Sequence, residues 1–365
     1  MDWLIHTGQT HLCMAHESLK SLLRKLSYTN RPMPLTFLPK HFILIAVAVM
    51  QLLAPYRVQA AEIRAFHNVN QLPFKQIFGL PSLDNSPLTQ GGEWRMNLVG
   101  NIANSYEISA GSQEQLTNDL ETFRGSLIAS YGLRDDWQLS VELPYVSHDG
   151  GFLDHFIYRW HDFFGMPQNG RTKDNHDQLD VSYLSKYSFE LPGPESGIGD
   201  IRLNIANSRP WKNRTLVFSA EVKLPTGDLD RLTGSGATDF SAGITLNDPY
   251  TLEKYRVTLF GGLAGVFLGG MDGELASVQK SFVLAGRAGF GWQATKLIQI
   301  KLQLDALSAI YDSELKAMGD PSFQLVMGGS LIFTDNVYLD IAVAEDISTS
   351  TAADVAVQLG LVLNF

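Results

Sequence analysis

Near its C-terminal third the chain alternates strictly, with Ile298, Ile300, Leu302 and Leu304 on one face and Gln299, Lys301, Gln303 and Asp305 on the other. A period of two belongs to a β-strand with one apolar face, and no helix reads this way. The final segment repeats it: Val355, Val357, Leu359, Leu361, Leu363 and Phe365 alternate with Ala356, Gln358, Gly360 and Asn364 up to the last residue. The pattern persists upstream, in Val337 to Val343, Phe323 to Phe333, Leu216 to Leu224 and Trp137 to Tyr145. Strands are expected near 93–108, 121–133, 137–147, 179–190, 200–207, 214–225, 237–247, 255–268, 281–293, 297–310, 321–333, 336–345 and 354–365.

The joins alternate in length as well. Tight joins are expected at Arg134 to Asp136, Arg209 to Asn213, Thr295-Lys296 and Thr334 to Asn336. Longer polar joins are expected near Gly111 to Asp119, Asp228 to Ala237, Gly270 to Lys280 and Asp312 to Asp320. Strands of about ten residues, short turns at one end and long loops at the other fit a transmembrane antiparallel up-and-down β-barrel. Thirteen strands break the even parity of such barrels, and the up-down rhythm makes 179–190 surplus. That segment is assigned to one long outer excursion, 148–199, leaving about 12 spanning strands, with 14 as the alternative. Tyr and Trp near strand ends, among them Trp94, Tyr106, Tyr131, Trp137, Tyr145, Tyr255 and Trp292, suit interfacial girdles. A soluble β-sandwich or lipocalin-like barrel would also alternate, but the strand number, the terminal Phe strand and the loop rhythm favour the membrane.

A barrel also agrees with what precedes it. An apolar stretch from Phe42 to Leu53 follows Lys40 and His41 and is followed by Val58-Gln59-Ala60, the layout of a signal peptide cleaved after Ala60. It is too short to span as a helix, and no later apolar run reaches spanning length, so a barrel is the only membrane architecture left. Met33 lies at a more ordinary distance from this stretch than Met1 and is the expected start. Six of the 28 basic and two of the 38 acidic residues fall in 1–60, leaving 22 and 36 and a net charge of −14, which disfavours nucleic acid as a partner. The single cysteine, Cys13, lies ahead of the cleavage site, so the exported part can hold neither a disulfide nor a thiolate metal site. Residues 61–92, with Pro73, Pro81 and Pro87, have no strand partner and form either a plug at the periplasmic mouth or an extended leader ahead of the barrel at 93–365.

Within the excursion, Gly150 to Gly165 reads as an amphipathic helix. Phe152, Phe156, Trp160 and Phe163 or Phe164 recur at helical spacing, Asp154, Tyr158 and His161 recur on another side, and Gly165-Met166-Pro167 ends it. Such a helix could cap the lumen, lie on lipid, or be the packed core of an ordered loop. Four of the five histidines after residue 60 (His148, His155, His161 and His176) lie in this excursion beside Asp149, Asp154, Asp162 and Asp177. His155 and His161 are six apart, no ligand motif is present, and no metal or cofactor is assigned. Ser147 and His148 point to opposite faces of one strand, which spoils a direct Ser–His pair, so no catalytic residue is assigned either. On the inward face Glu93, Arg95, Glu107, Arg124, Glu142, Arg202, Glu221, Lys223, Arg256, Arg287, Lys301, Asp305 and Asp340 either line a solute path or pair with one another and close the lumen.

The stretch Gly150 to Gly165 with Pro167 and Arg171, together with Phe78-Gly79-Leu80-Pro81, resembles a family of Gram-negative exported proteins known only as a domain of unknown function. Gly197-Ile198-Gly199-Asp200, Lys223-Leu224-Pro225-Thr226-Gly227-Asp228 and Gly234-Ser235-Gly236 are similar to the pattern of outer-membrane channels associated with degradation of aromatic compounds. The resemblance covers most of the chain after residue 60 and implies an outer-membrane barrel of a Gram-negative bacterium. It carries no catalytic residues over. The expected function is a passive channel or uptake protein for small solutes, hydrophobic ones included. The alternatives are a closed barrel whose outer loop binds a partner or lipid, and a lipid hydrolase using the His-rich loop. Expected partners are outer-membrane lipid and, through a strand ending in Phe365, the barrel-assembly machinery.

Overall fold

The computed structural model describes residues 62–81, 83–164, 177–186 and 188–365. The signal peptide, the cleavage after Ala60 and the start at Met33 lie outside the described residues, as do Gly165 to Pro167, Arg171 and His176.

The strands among the described residues are β1 (Trp94–Ala110), β2 (Gln115–Arg134), β3 (Trp137–Asp149), β4 (Asp180–Leu184), β5 (Ser188–Glu190), β6 (Glu195–Ile198), β7 (Arg202–Trp211), β8 (Arg214–Lys223), β9 (Asp239–Leu252), β10 (Val257–Phe267), β11 (Phe282–Gln293), β12 (Ile298–Leu307), β13 (Ser322–Thr334), β14 (Val337–Asp346) and β15 (Val355–Asn364). Twelve of them, β1 to β3 and β7 to β15, form one antiparallel ring that closes where β1 pairs with β15. The seam is completed by Trp94 and Phe365, whose peptide groups bond to each other at 3.1 and 2.8 Å. The protein is thus a closed 12-stranded up-and-down barrel.

The alternation of the sequence appears inside out, as lipid requires. On β12, Ile300 is 48% exposed whereas Lys301 is 1% exposed. Phe218, Leu263, Leu284, Met327, Ile341 and Leu359 continue the outward apolar belt. At its short-turn rim stand Trp94, Tyr131, Trp211, Tyr255 and Trp292, with the Trp94 and Tyr131 rings 4.8 Å apart, and at the other rim Phe240, Phe267 and Phe282. These are the interfacial girdles of an outer-membrane barrel, whose short turns face the periplasm. Leu359→Arg should therefore cost about 2–4 kcal/mol if it lies near the midplane, read as a lower urea midpoint for the barrel in lipid vesicles.

Two features differ from the sequence reading. The join between β1 and β2 is a four-residue turn, 111–114, because both strands run on beyond the bilayer, over 17 and 20 residues. The surplus segment is itself built into the wall. Asp149 at the end of β3 stands opposite Glu121 of β2, and Asp180 at the start of β4 stands opposite Asp119 of the same strand. β3 and β4 are thus two halves of one strand line, and residues 150–179 leave it as an insertion.

Helix α1 (Pro73–Gln76) belongs to the segment before β1, α2 (Asp154–Phe164) to the insertion and α3 (Lys316–Gly319) to the loop between β12 and β13. α2 does not cap the lumen. Its Asp154 accepts from Asn104 Nδ2 at 2.8 Å, and the Leu153 N–H donates to Glu121. Asn104 stands across from Val355 and Glu121, in the outward rows of the wall. The helix start is therefore pinned to the outside of the barrel. Gly151, at φ +78°, makes the turn into it, and a Cβ there would fall onto the Glu121 carboxyl.

Candidate functional site

The lumen is occupied by the protein's own residues 62–92. This segment starts at the periplasmic mouth, where Asn247 Nδ2 donates to Glu62 at 3.0 Å and Arg64 bonds the Tyr338 hydroxyl. It rises past Phe66, whose N–H and carbonyl both bond the Gln303 amide, at 2.9 and 3.5 Å. At the outer end it makes the single turn of α1, which Pro73 can start because its missing N–H is not needed there. It then descends, with Thr89 held on Gln138 at 2.8 Å and Gly91 on Asp135 at 3.0 Å, and enters β1.

The turn at the top is sealed by apolar packing. Leu72, Phe74, Ile77, Phe78 and Leu80 are buried against Tyr183 and Phe189 of the β4–β5 hairpin and against Leu232, Met271, Tyr311 and Met318 from the other outer loops. Phe74 meets Phe189 edge-on with ring centres 5.7 Å apart, and the Tyr311 hydroxyl donates to the Phe74 carbonyl at 2.5 Å.

Below this cap the charged residues of the wall form three groups. Arg287 holds Asp305 with two bonds of 2.6 and 2.9 Å and donates to the Asn68 carbonyl at 3.0 Å. Close by, Lys301 pairs with Asp340 at 2.7 Å and lies 4.0 Å over the Phe66 ring. In the second group Glu142 is flanked by Arg124 at 3.2 Å, His67 at 3.6 Å and Arg202 at 3.7 Å, and Arg202 also donates to the Leu80 carbonyl at 2.8 Å. Glu221 lies beside this group, on the row across from Asn204.

The third group lies near the outer end. Lys223 pairs with Asp200 at 2.7 Å and Asp239 at 3.0 Å, bonds Ser235, and donates to the Ile77 carbonyl at 3.1 Å. Asp239 accepts from the Gly79 N–H at 2.8 Å, and Asp200 accepts from Gly227 and Ser235 N–H groups at 2.8 and 3.0 Å. A Cβ on Gly79 would stand 3.1 Å from those of Asp239 and Lys223, so glycine lets the backbone come this close. The Gly197–Asp200, Lys223–Asp228 and Gly234–Gly236 motifs thus meet Phe78-Gly79-Leu80-Pro81 at one latch.

The other candidates are placed as follows. Arg95 is buried low in the lumen, donating to Asn364 at 3.0 Å and to the Pro87 carbonyl at 2.9 Å. Arg256 does not line the lumen. It is exposed in the turn before β10, where φ +59° swings it out of the strand's alternation, and Glu93 is likewise exposed ahead of β1. His148 is buried and inward, between Thr122 Oγ1 at 3.0 Å and the Leu232 carbonyl at 3.1 Å. His155 bonds Arg159 on the exposed side of α2, where Asp162 is also exposed, and Phe152 is exposed in the turn before the helix. Phe156, Trp160 and His161 fall on α2, with side chains outside the described ones.

Sequence reasoning did not single out Gln303, Gln358, Thr351 or Lys75. Gln358 donates to the His67 carbonyl at 2.5 Å, and Lys75 Nζ to the Thr351 carbonyl at 2.9 Å. Burial brings the Lys75 ammonium down to about 8, against the pull of Asp346 and Asp320. A lysine whose folded value lies below its unfolded one burdens the folded state when charged, so stability rises with pH from about 8 to about 10.5. Wild type should gain thermal stability relative to Lys75→Met across that window, and parallel melting curves would contradict this.

Spaces left beside the segment measure about 30, 40 and 80 Å³. A larger hollow, about 840 Å³, lies on the outward apolar face near Trp94, Leu139, Ile205 and Phe240.

Among solved structures the chain is similar to the COG4313 outer membrane channel from Pseudomonas putida F1, at 11% identity over 77% of this chain and 98% of that one, with a TM-score of 0.49. It is also similar to the NanC porin, at 8% identity, 74% and 98% coverage and a TM-score of 0.43. For the CymD monoaromatic hydrocarbon channel the values are 12%, 75%, 88% and 0.35. No curated protein sequence matches the chain. A family-wide profile, that of the DUF3187 proteins of unknown function, matches residues 41–365. The chain, matched over nearly its whole length, belongs to the DUF3187 family.

Proposed function

We propose that the protein is an outer-membrane channel for small solutes that rests closed, with residues 62–92 as its plug. The observation that carries this reading is that four wall cations each give one bond to a main-chain carbonyl of the plug. Arg287 takes Asn68, Lys223 takes Ile77, Arg202 takes Leu80 and Arg95 takes Pro87, at 2.8–3.1 Å. Contacts of this kind can be exchanged for water at modest net cost, about 0.5–3 kcal/mol each, so the plug can leave the wall without unfolding the barrel.

Planar-bilayer recording tests the proposal. The wild-type protein should show rare, brief openings, and moderate urea should raise the open fraction reversibly while the barrel keeps its heat-modifiable migration. A lumen that stays silent under both conditions would overturn it.

A second reading, contact with outer-leaflet lipid, is favoured by the seat of α2 on the outer wall and by Phe152, exposed in the turn that leads into it.

A further inference from the structure

The plug is bonded to the wall on both sides but fills the lumen less completely on one of them. Towards β11 to β14 it is bonded at Phe66 and Asn68 by Gln303 and Arg287. Towards β2, β3, β7 and β8 its descending limb leaves a cavity of about 80 Å³. Ser130, Ser140, Asn204 and Ser219 supply hydroxyl and amide groups to its wall, and Ile128 and Val217 supply apolar ones. Glu142 with Arg202 forms its roof, and Gln138 lies at its periplasmic end.

Three side chains lining this space carry a buried polar atom with no hydrogen-bond partner among the described residues: Asn97 Oδ1, Arg202 Nε and Glu221 Oε1. Buried polar atoms are rarely left unpaired, and here a donor and two acceptors border the same cavity. A ligand with a net charge would upset a roof whose carboxylate already faces Arg124 and Arg202. A hydroxyl both donates and accepts, so a solute with several of them can meet all three groups.

We infer that this cavity binds a small uncharged polyhydroxylated solute, with a volume equal to roughly two or three waters, about that of a two- or three-carbon polyol. The inference rests on the channel reading for its role in transport, though not for binding itself.

The chain carries Cys13 alone, ahead of the expected cleavage site, so a cysteine placed at Ser219 can be labelled selectively. Assembled Ser219→Cys protein that also carries Cys13→Ser should, in vesicles, react with methyl methanethiosulfonate. Glycerol should slow that reaction severalfold and saturably, whereas trehalose at matched osmolarity, too large for the cavity, should not. Phe218→Cys, on the lipid face one residue away, should be indifferent to both. A Ser219→Cys thiol that labels without glycerol protection, or that fails to label in a correctly assembled barrel, overturns the inference and leaves the channel reading to its currents. Protection in a barrel that stays silent under urea would sustain the site and sink the channel.

Discussion

Lys223→Met should be the most damaging single substitution in the lumen. It leaves Asp200 and Asp239, both buried and 2.7 and 3.0 Å from the lost ammonium, without their cation. Removing one partner of a buried ionic cluster costs about 3–5 kcal/mol, because the remaining charges stay desolvated. The same change releases the Ile77 carbonyl, so the loss falls on the latch between plug and wall. Residues 62–92 should become sensitive to protease from the periplasmic side while the barrel strands stay protected. Lys223→Arg, which keeps the charge, should lose less. Equal protection in wild type and Lys223→Met would mean that the latch does not hold the plug.

Glu142→Gln should change what the pore selects more than whether it forms. The substitution keeps the shape but removes the carboxylate that faces Arg124, Arg202 and His67, and leaves two buried guanidinium groups without their counter-charge. Stability should fall by a few kcal/mol, and any open lumen should become more positive at this level. In bilayers with a salt gradient the reversal potential of Glu142→Gln should shift toward that of the anion. An unchanged reversal potential in a conducting variant would place the solute path away from Glu142.

Much of this molecule was legible in its sequence, because lipid outside and polar filling inside impose a period of two on every spanning strand. Ile298 to Asp305 and Val355 to Phe365 state the barrel with no help from the structure, and parity together with the up-down rhythm of the joins was enough to remove 179–190 from the ring. Legibility ended wherever contacts run through the main chain. The plug is held by its carbonyls, so its sequence carries Pro73, Pro81 and Pro87 but no periodicity, and a lumen-threading hairpin read the same as an extended leader. Phe78 to Pro81, Gly197 to Asp200 and Lys223 to Asp228 looked like separate turns because their meeting point depends on ring closure. Arg256 was misplaced because a left-handed residue before β10 breaks the alternation that had seemed to include it. The packed lumen also decides what an inward-facing substitution meets. Gln358, on the inward side opposite lipid-facing Leu359, bonds both His67 and Asn101, so an arginine there would collide with the plug instead of entering open solvent.

The central claim, that residues 62–92 occupy the lumen of the assembled barrel, is tested most directly by a disulfide between plug and wall. An ideal Cβ on Gly79 lies 3.1 Å from the Asp239 Cβ, close enough that a small shift gives disulfide geometry. Gly79→Cys/Asp239→Cys should cross-link in intact outer membranes, give a faster-migrating band on non-reducing gels, and suppress openings until a reductant is added. A double variant that assembles as a heat-modifiable barrel with both thiols free would contradict the account, because the segment would then lie outside the lumen.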